Sequence, residues 1–156
     1  MRVLAIDPGY GRCGVAIIEK ESGKEKYIYS DCIETSAKIR FEERLEAVAS
    51  EVGRLLKKFK PDALAMERLF LSTNQKTAMH VAEVRGAILH VATSAGIPTF
   101  EYTPAQIKSA TTGSGRADKK QITQMLHMLL KIEKTIRRDD EYDAIAVGIT
   151  HLAHMK

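Results

Sequence analysis

Two carboxylates in this sequence lie directly behind short apolar runs. Asp7 closes the run at residues 3–6, just before Pro8 and Gly9 turn the chain, and Glu67 closes a second run. A carboxylate at the end of a buried strand loses hydration unless a turn amide, a basic side chain or a metal ion compensates it. By itself Asp7 is explained equally well as an Asx-type turn cap, so the other acidic residues decide between the two interpretations.

A second acidic pair lies near the end of the chain. Asp140 and Asp143 are three residues apart at the predicted start of the last helix, so their side chains share one face. The same stripe continues with Ala144, Val147 and His151. The helix macrodipole alone favours acidic residues in a first turn, but the four acids between 139 and 143 exceed what capping requires.

These four carboxylates come from three distant segments and have no paired Cys or His beside them. Oxygen-only ligand sets are typical of hard cations, which favours Mg²⁺ or Mn²⁺ over zinc. Two such ions roughly 4 Å apart activate a water and stabilise the leaving oxygen of a phosphodiester. We therefore predict two-metal phosphodiester chemistry, with four residues as both catalytic and metal-binding groups: Asp7, Glu67, Asp140 and Asp143.

The positive charge of the chain is concentrated in one segment. The net charge is +4, but residues 108–138 contain eight Lys or Arg against two acidic residues, a net of +6, and the rest of the chain is therefore about −2. This pattern is the electrostatic footprint of a phosphate-rich partner, although a solvated helix face has the same appearance.

Several residues are candidates for contacts with nucleic acid. Phe70 follows a strand and precedes a polar loop, which favours an exposed stacking aromatic over a core residue. The Gly-rich loop at 113–115 does not end in Gly-Lys-Ser/Thr, so it is not a Walker A motif. Basic residues near this loop or beside the Phe70 loop are interpreted as phosphate contacts: Lys76, Lys108, Arg116, Lys119 and Lys120.

The elements that must position these residues follow from periodicity. We predict strands at about 3–7, 13–19, 26–34, 62–67 and 98–103, and helices at about 41–60, 72–96, 104–110, 118–130 and 139–154. Ser72 with Gln75, and Asp118 with Gln121, are capping-box signals. Ala78, Ala82 and Gly86 form a small-residue seam, for which internal packing is favoured over a subunit interface. One mixed α/β domain over residues 1–156 is expected.

Composition excludes several classes of protein. No run of about 18 apolar residues occurs, which argues against a membrane span. The chain enters directly into a strand pattern without a leader, and Cys13 and Cys32 lack metal-ligand spacing, so we expect reduced cysteines and a cytoplasmic location. His151 shares an otherwise apolar stripe and is interpreted as a packed or hydrogen-bonded core histidine, although a part in the site stays open.

Five motifs occur in a fixed order along nearly the whole chain. They are Ile6-Asp7-Pro8-Gly9; Met66-Glu67-Arg68-Leu69-Phe70 followed by Asn74; Arg85-Gly86; Gly113-Ser114-Gly115-Arg116-Ala117-Asp118-Lys119; and Asp140-x-x-Asp143-Ala144-x-Ala146-Val147-x-x-Thr150-His151. This combination resembles the RuvC-type Holliday-junction resolvases. Two departures are Arg68, where Gln is common, and Asp140, where some members have His.

The resemblance implies an RNase H-like fold, with a five-stranded mixed sheet flanked by helices. It implies a homodimer that cuts four-way DNA junctions during recombination and repair, alongside a branch-migration helicase. It further implies that the carboxylates matching the four acids named above bind divalent metals, that the aromatic matching Phe70 contacts bases near the crossover, and that lysines matching Lys108 and Lys119 lie close to DNA.

Three other functions fit parts of this pattern less well. A non-cleaving junction-binding module would use the acids only structurally, which four intact carboxylates argue against. An ATPase of the actin and sugar-kinase kind needs a second similar domain, for which 156 residues leave no room. The small RNase H-like processing nucleases are nearer, but their motifs do not match the Glu67-x-x-Phe70 pattern.

Overall fold

The architecture is an α/β fold in which one sheet separates two groups of helices. The computed structural model describes residues 1–69 and 75–155. Its elements, in chain order, are β1 Arg2–Asp7, β2 Arg12–Glu21, β3 Lys24–Glu34, α1 Phe41–Phe59, β4 Ala63–Glu67, α2 Gln75–Ser94, β5 Thr99–Tyr102, α3 Pro104–Thr112, α4 Lys119–Leu129 and α5 Asp139–His154.

The sheet is five-stranded and mixed, with the order β3-β2-β1-β4-β5. The first three strands form an antiparallel meander, whereas β4 and β5 run parallel to β1. Crossovers through helices are what parallel neighbours require, and α1 and α2 supply them here. The first strand is therefore central, and its carboxyl end lies beside the carboxyl end of β4.

Alternation along the strands divides the core into two clusters. Val3 and Ala5 pack with α5, whereas Leu4 and Ile6 pack with α1 and α2 on the opposite face. This period of two is the geometry of a pleated strand that is buried on both sides. It fixes which face of the sheet each end-of-strand side chain reaches.

The predicted elements agree closely with those of the structure. The helix predicted at about 41–60 is confirmed as α1, and its residues Val48, Val52 and Leu55 are buried against the sheet. The capping box of Asp118 with Gln121 is also confirmed, since each side chain accepts a hydrogen bond from the other residue's backbone. The capping signal of Ser72 lies outside the described residues.

One packing prediction is wrong. Ala78 is buried, but Ala82 and Gly86 are exposed on the outer surface of α2, so the small-residue seam does not serve internal packing along its length. Internal packing would need another helix of this chain to cover the face of α2 that carries Ala82 and Gly86. Helix α1 instead packs against the opposite face of α2, which carries Val84 and Ile88.

No helix in the described part of the chain is long and apolar enough to cross a membrane.

Candidate active site

The two strand carboxylates lie side by side on one face of the sheet. Ile6 pairs in register with Met66, so Asp7 and Glu67, the next residues, end neighbouring parallel strands. By the alternation of side chains, Asp7 lies on the same face as Ala5, and Glu67 lies on the same face as Ala65. That face is the one covered by α5, which brings the predicted acidic pair to the same edge.

A glycine lets α5 approach this edge closely. Gly14 is the partner of Asp7 across the β1–β2 ladder. A Cβ at Gly14 would lie 1.8 Å from the backbone oxygen of Asp140, well inside any allowed contact. The start of α5 therefore rests on bare backbone, and this contact sets the height of Asp140 and Asp143 above the sheet.

A buried polar network fixes the same helix turn, and sequence reasoning missed it. Glu141 is only 4% exposed, and its Oε2 accepts hydrogen bonds from the Ser30 hydroxyl at 2.7 Å and from Lys134 Nζ at 2.8 Å. Lys134 also donates to the backbone oxygen of Ser30 at 2.9 Å. The network ties α5 to β3 between the two predicted ligands. The excess of acids at 139–143 was the one signal available for it.

The strand carboxylates are electrostatically strained. Burial raises the pKa of Asp7 from 3.8 to about 8, and the negative charges of Asp143, Glu67 and Asp140 add to the effect. Burial also raises the pKa of Glu67, with Asp143 as the next contribution, while Lys119 and then Lys108 oppose it. These effects show that Asp7 lies within electrostatic reach of the other three predicted carboxylates.

The turn-cap interpretation of Asp7 fails on its contacts. Within residues 1–69 and 75–155, no backbone amide donates a hydrogen bond to the Asp7 carboxylate. A capping amide would also stabilise the charged form and lower the pKa, whereas the pKa of Asp7 is raised.

Two cations neutralise the helix pair. Arg12 Nε lies 3.4 Å from Asp140 Oδ2, and Lys119 Nζ lies 3.3 Å from Asp143 Oδ2. Burial raises the pKa of Asp143, and the charge of Lys119 opposes the rise. In this arrangement no three His, Cys, Asp or Glu side chains of the described ranges converge closely enough to hold a metal ion. The four carboxylates therefore lie at one edge of the sheet, but Asp140 and Asp143 form ion pairs with side-chain cations.

The donor set nevertheless fits a divalent cation. It consists of carboxylate oxygens alone, which suits Mg²⁺ or Mn²⁺. Burial and neighbouring carboxylates raise the pKa of Asp7 and of Glu67, and nearby lysines offset the rise only in part. A cation at this edge would favour the ionised forms of the same groups.

The predicted nucleic-acid contacts lie in different settings. Lys119 is at the carboxylate edge, and Lys108 is near enough to Glu67 to influence its pKa. Three others are exposed on the surface: Lys76, Arg116 and Lys120. Phe70 lies outside the described residues, and its role stays a prediction.

His151 is a core residue, as its apolar stripe indicated. It is fully buried, and its Nδ1 pairs with the Tyr102 hydroxyl at 2.9 Å. Burial lowers its pKa, with a smaller contribution from His154. The neutral ring packs against Phe100 at a centroid distance of 4.7 Å, away from the strand carboxylates.

Comparison with known proteins identifies the family. A family model described as "Crossover junction endodeoxyribonuclease RuvC" matches residues 3–151. The chain belongs to the RuvC family. The RuvC of Thermosipho melanesiensis is 43% identical over 95% of this chain and 94% of its own length. The RuvC of Syntrophomonas wolfei is 44% identical over 97% and 88%, respectively.

A solved RuvC structure has the same fold. The RuvC of T. thermophilus in complex with a Holliday junction substrate superposes with a TM-score of 0.92 at 30% identity, covering 99% of this chain and 94% of that one. The RNase H-like α/β fold expected from the motifs is therefore confirmed. So is the RuvC resemblance itself.

Proposed function

We propose that this chain is a metal-dependent endonuclease that resolves four-way DNA junctions in recombination and repair. One observation carries the proposal: in a member of the RuvC family, four carboxylates from three segments gather at one edge of the sheet, where burial and the other three carboxylates raise the pKa of Asp7. Carboxylates with raised pKa values that converge at one edge of a sheet are typical of functional sites.

The proposed metal ligands are the four carboxylates predicted from sequence: Asp7, Glu67, Asp140 and Asp143. We propose two Mg²⁺ ions per site, with Mn²⁺ as a substitute. The chemistry that such ions supply is Lewis-acid activation of a water and of the phosphodiester. Asp140 and Asp143 would exchange their ion pairs with Arg12 and Lys119 for this role.

The chain's own residues contribute position and charge. Asp7 is fixed because β1 is the central strand, and Asp140 and Asp143 are fixed by the close contact at Gly14 and the buried Glu141 network. Lys119, released from Asp143, would place a positive charge beside the reacting phosphate. Such prior positioning is what makes an in-line displacement fast.

The proposed substrate interaction uses the basic segment. Lys108, Arg116, Lys119 and Lys120 would contact phosphates, Lys76 would add to them, and Phe70 would stack on bases near the crossover. We propose a homodimer whose two subunits nick strands of the same polarity across the two-fold axis, which leaves ligatable duplexes. A branch-migration helicase is the proposed companion of this reaction.

The domain and the compartment are proposals as well. Both hydrophobic clusters pack against one sheet, which supports a single nuclease domain over residues 1–156. The free cysteines Cys13 and Cys32 support a reducing compartment, and we propose the cytoplasm.

The decisive test uses a synthetic four-way junction with Mg²⁺ and maps products to the nucleotide. We expect paired symmetric nicks from the wild type and none from Asp7→Asn, with junction binding retained by the variant. Glu133→Gln, which removes an exposed acid of the basic segment, is the matched control and should cleave normally. Near-normal cleavage by Asp7→Asn would contradict the proposal. Junction binding by the wild type without nicks in Mg²⁺ or Mn²⁺ would favour a binding module instead.

A further inference from the structure

Two arginines lie beside the strand carboxylates and take no part in the function described so far. A groove of about 300 Å³ is lined by Asp7 and Glu67 and also by Arg68 and Arg85. Arg68 follows Glu67 directly, and Arg85 belongs to the Arg-Gly motif of α2. Both arginines thus line the same groove as the two strand carboxylates.

Both arginines converge on one carboxylate. Arg85 Nη2 donates to Glu101 Oε1, and Arg68 Nε lies 3.8 Å from Glu101 Oε2. The Arg85 side chain is 16% exposed, whereas that of Arg68 is 57% exposed. Arg85 is therefore largely buried, whereas Arg68 lies at the surface.

The charges of this cluster do not balance. Two guanidinium groups share one carboxylate, so one positive charge is left over in the groove that Asp7 and Glu67 also line. Arg85 Nε is buried and has no hydrogen-bond partner within the ranges that the structure describes. Burial, followed by repulsion from Arg68, lowers the pKa of Arg85, although a guanidinium stays charged at neutral pH.

The geometry is that of an anion clamp with a carboxylate in it. Guanidinium groups bind carboxylate and phosphate oxygens through the same planar donor edge. Glu101 therefore offers the two arginines the kind of acceptor oxygen that a phosphate also has, and it keeps both side chains oriented. A phosphate brings more than one acceptor oxygen, so it can accept hydrogen bonds from both guanidinium groups.

We propose that Arg68 and Arg85 bind one phosphate of the cut strand next to the scissile one, and that Glu101 holds them in place until the phosphate displaces it. This inference rests on the proposed function, since it assigns a further contact of the same substrate.

The competing explanation is a structural ion pair that ties α2 to β5. The two explanations differ in sign for Glu101→Gln. If the ion pair only holds the fold, Glu101→Gln and the arginine variants all weaken binding to the extent that they destabilise the protein. If Glu101 competes with phosphate, Glu101→Gln binds junctions more tightly while Arg68→Gln and Arg85→Gln bind them more weakly.

Binding to a four-way junction is measured by fluorescence anisotropy in Ca²⁺ over a series of salt concentrations. We expect each arginine variant to bind roughly tenfold more weakly and to lower the slope of log affinity against log salt by about one. Arg68→Gln is the main variant because its exposed side chain can be changed without loss of folding. Lys57→Gln, an exposed cation in the last turn of α1, is the control and should change neither quantity.

A second arm locates the phosphate. Junctions carrying a single methylphosphonate at successive positions around the nick are bound and cleaved by the wild type and by Arg68→Gln. We expect one position next to the nick to weaken wild-type binding and to have no further effect on the variant. Equal sensitivity of both proteins at every position would overturn the inference. Cleavage of the unmodified junction by the wild type reports on the proposed function separately.

Discussion

Removal of the central carboxylate should stabilise the metal-free protein at high pH. Asp7 is mostly buried, lies among like charges and accepts no described hydrogen bond, so its ionised form is costly. Asp7→Asn keeps the shape of the side chain and removes the charge. The substitution that should abolish cleavage is therefore expected to strengthen the fold.

The size of the effect follows from the pKa. Burial first, and then repulsion from Asp143, raises the pKa of Asp7 from 3.8 to about 8. At roughly 1.4 kcal/mol for each tenfold change in proton affinity, this sets an upper bound of about 6 kcal/mol on the cost of ionisation. Water and counter-ions relax part of that cost, so we expect Asp7→Asn to gain about 2 kcal/mol above pH 8, or about 4–8 °C in Tm.

The sign with pH is fixed by linkage. Because the pKa of Asp7 is raised in the folded state, the carboxyl group costs the wild type no stability below about pH 4. The wild type loses stability as the pH rises towards 8, and its stability levels off above that value. Urea unfolding in EDTA should therefore show that Asp7→Asn has a slightly higher free energy of unfolding than the wild type at about pH 5. The difference should be large at about pH 9. Glu133→Gln, an exposed acid, is the control. An advantage that is absent or that does not grow with pH would refute the reasoning.

Two further predictions concern the start of α5. Gly14→Ala should lower the free energy of unfolding by about 1–3 kcal/mol and remove most of the cleavage activity, because its methyl group would lie 1.8 Å from the Asp140 backbone oxygen. Urea unfolding and junction cleavage test this. The control is Gly86→Ala, where a Cβ meets no atom within 4 Å. Lys134→Met should leave Glu141 without its cation, lower stability by about 1–3 kcal/mol and raise the Mg²⁺ concentration for half-maximal cleavage, whereas Lys134→Arg should restore both. An unchanged Mg²⁺ requirement in a folded Lys134→Met would show that the network does not position the ligands.

Local patterns were enough to predict the order and type of the elements. The strands around Asp7 and Glu67 are short apolar runs that end at turns or charges, and α1 has a clear helical period. These signals come from neighbours in sequence, so tertiary packing refines only their ends. The small-residue seam on α2 failed because small size is compatible with either burial or exposure, and spacing alone does not distinguish them.

The residues that hold the site together depend on contacts distant in sequence. Glu141 and Ser30 are separated by 111 positions, and their hydrogen bond exists only because α5 covers the β3 side of the sheet. Two ion pairs also join residues of different elements. They are Arg12 with Asp140, and Arg85 with Glu101. Charge type can be counted from sequence, but the partner of each charge is set by strand order and register.

Those distant contacts also explain why a strained carboxylate persists in the centre of the fold. Asp7 is the last residue of β1, and the four residues before it are fully buried. The carboxylate therefore cannot move away without disturbing the core. Glu67 is tied to it by strand register, and the α5 pair is tied to it by the contact at Gly14. The repulsion among these groups is therefore balanced by packing energy instead of being relieved by motion. A divalent cation would meet carboxylates that packing keeps near one another, and the stability lost in its absence is the quantity that the pH dependence of Asp7→Asn measures.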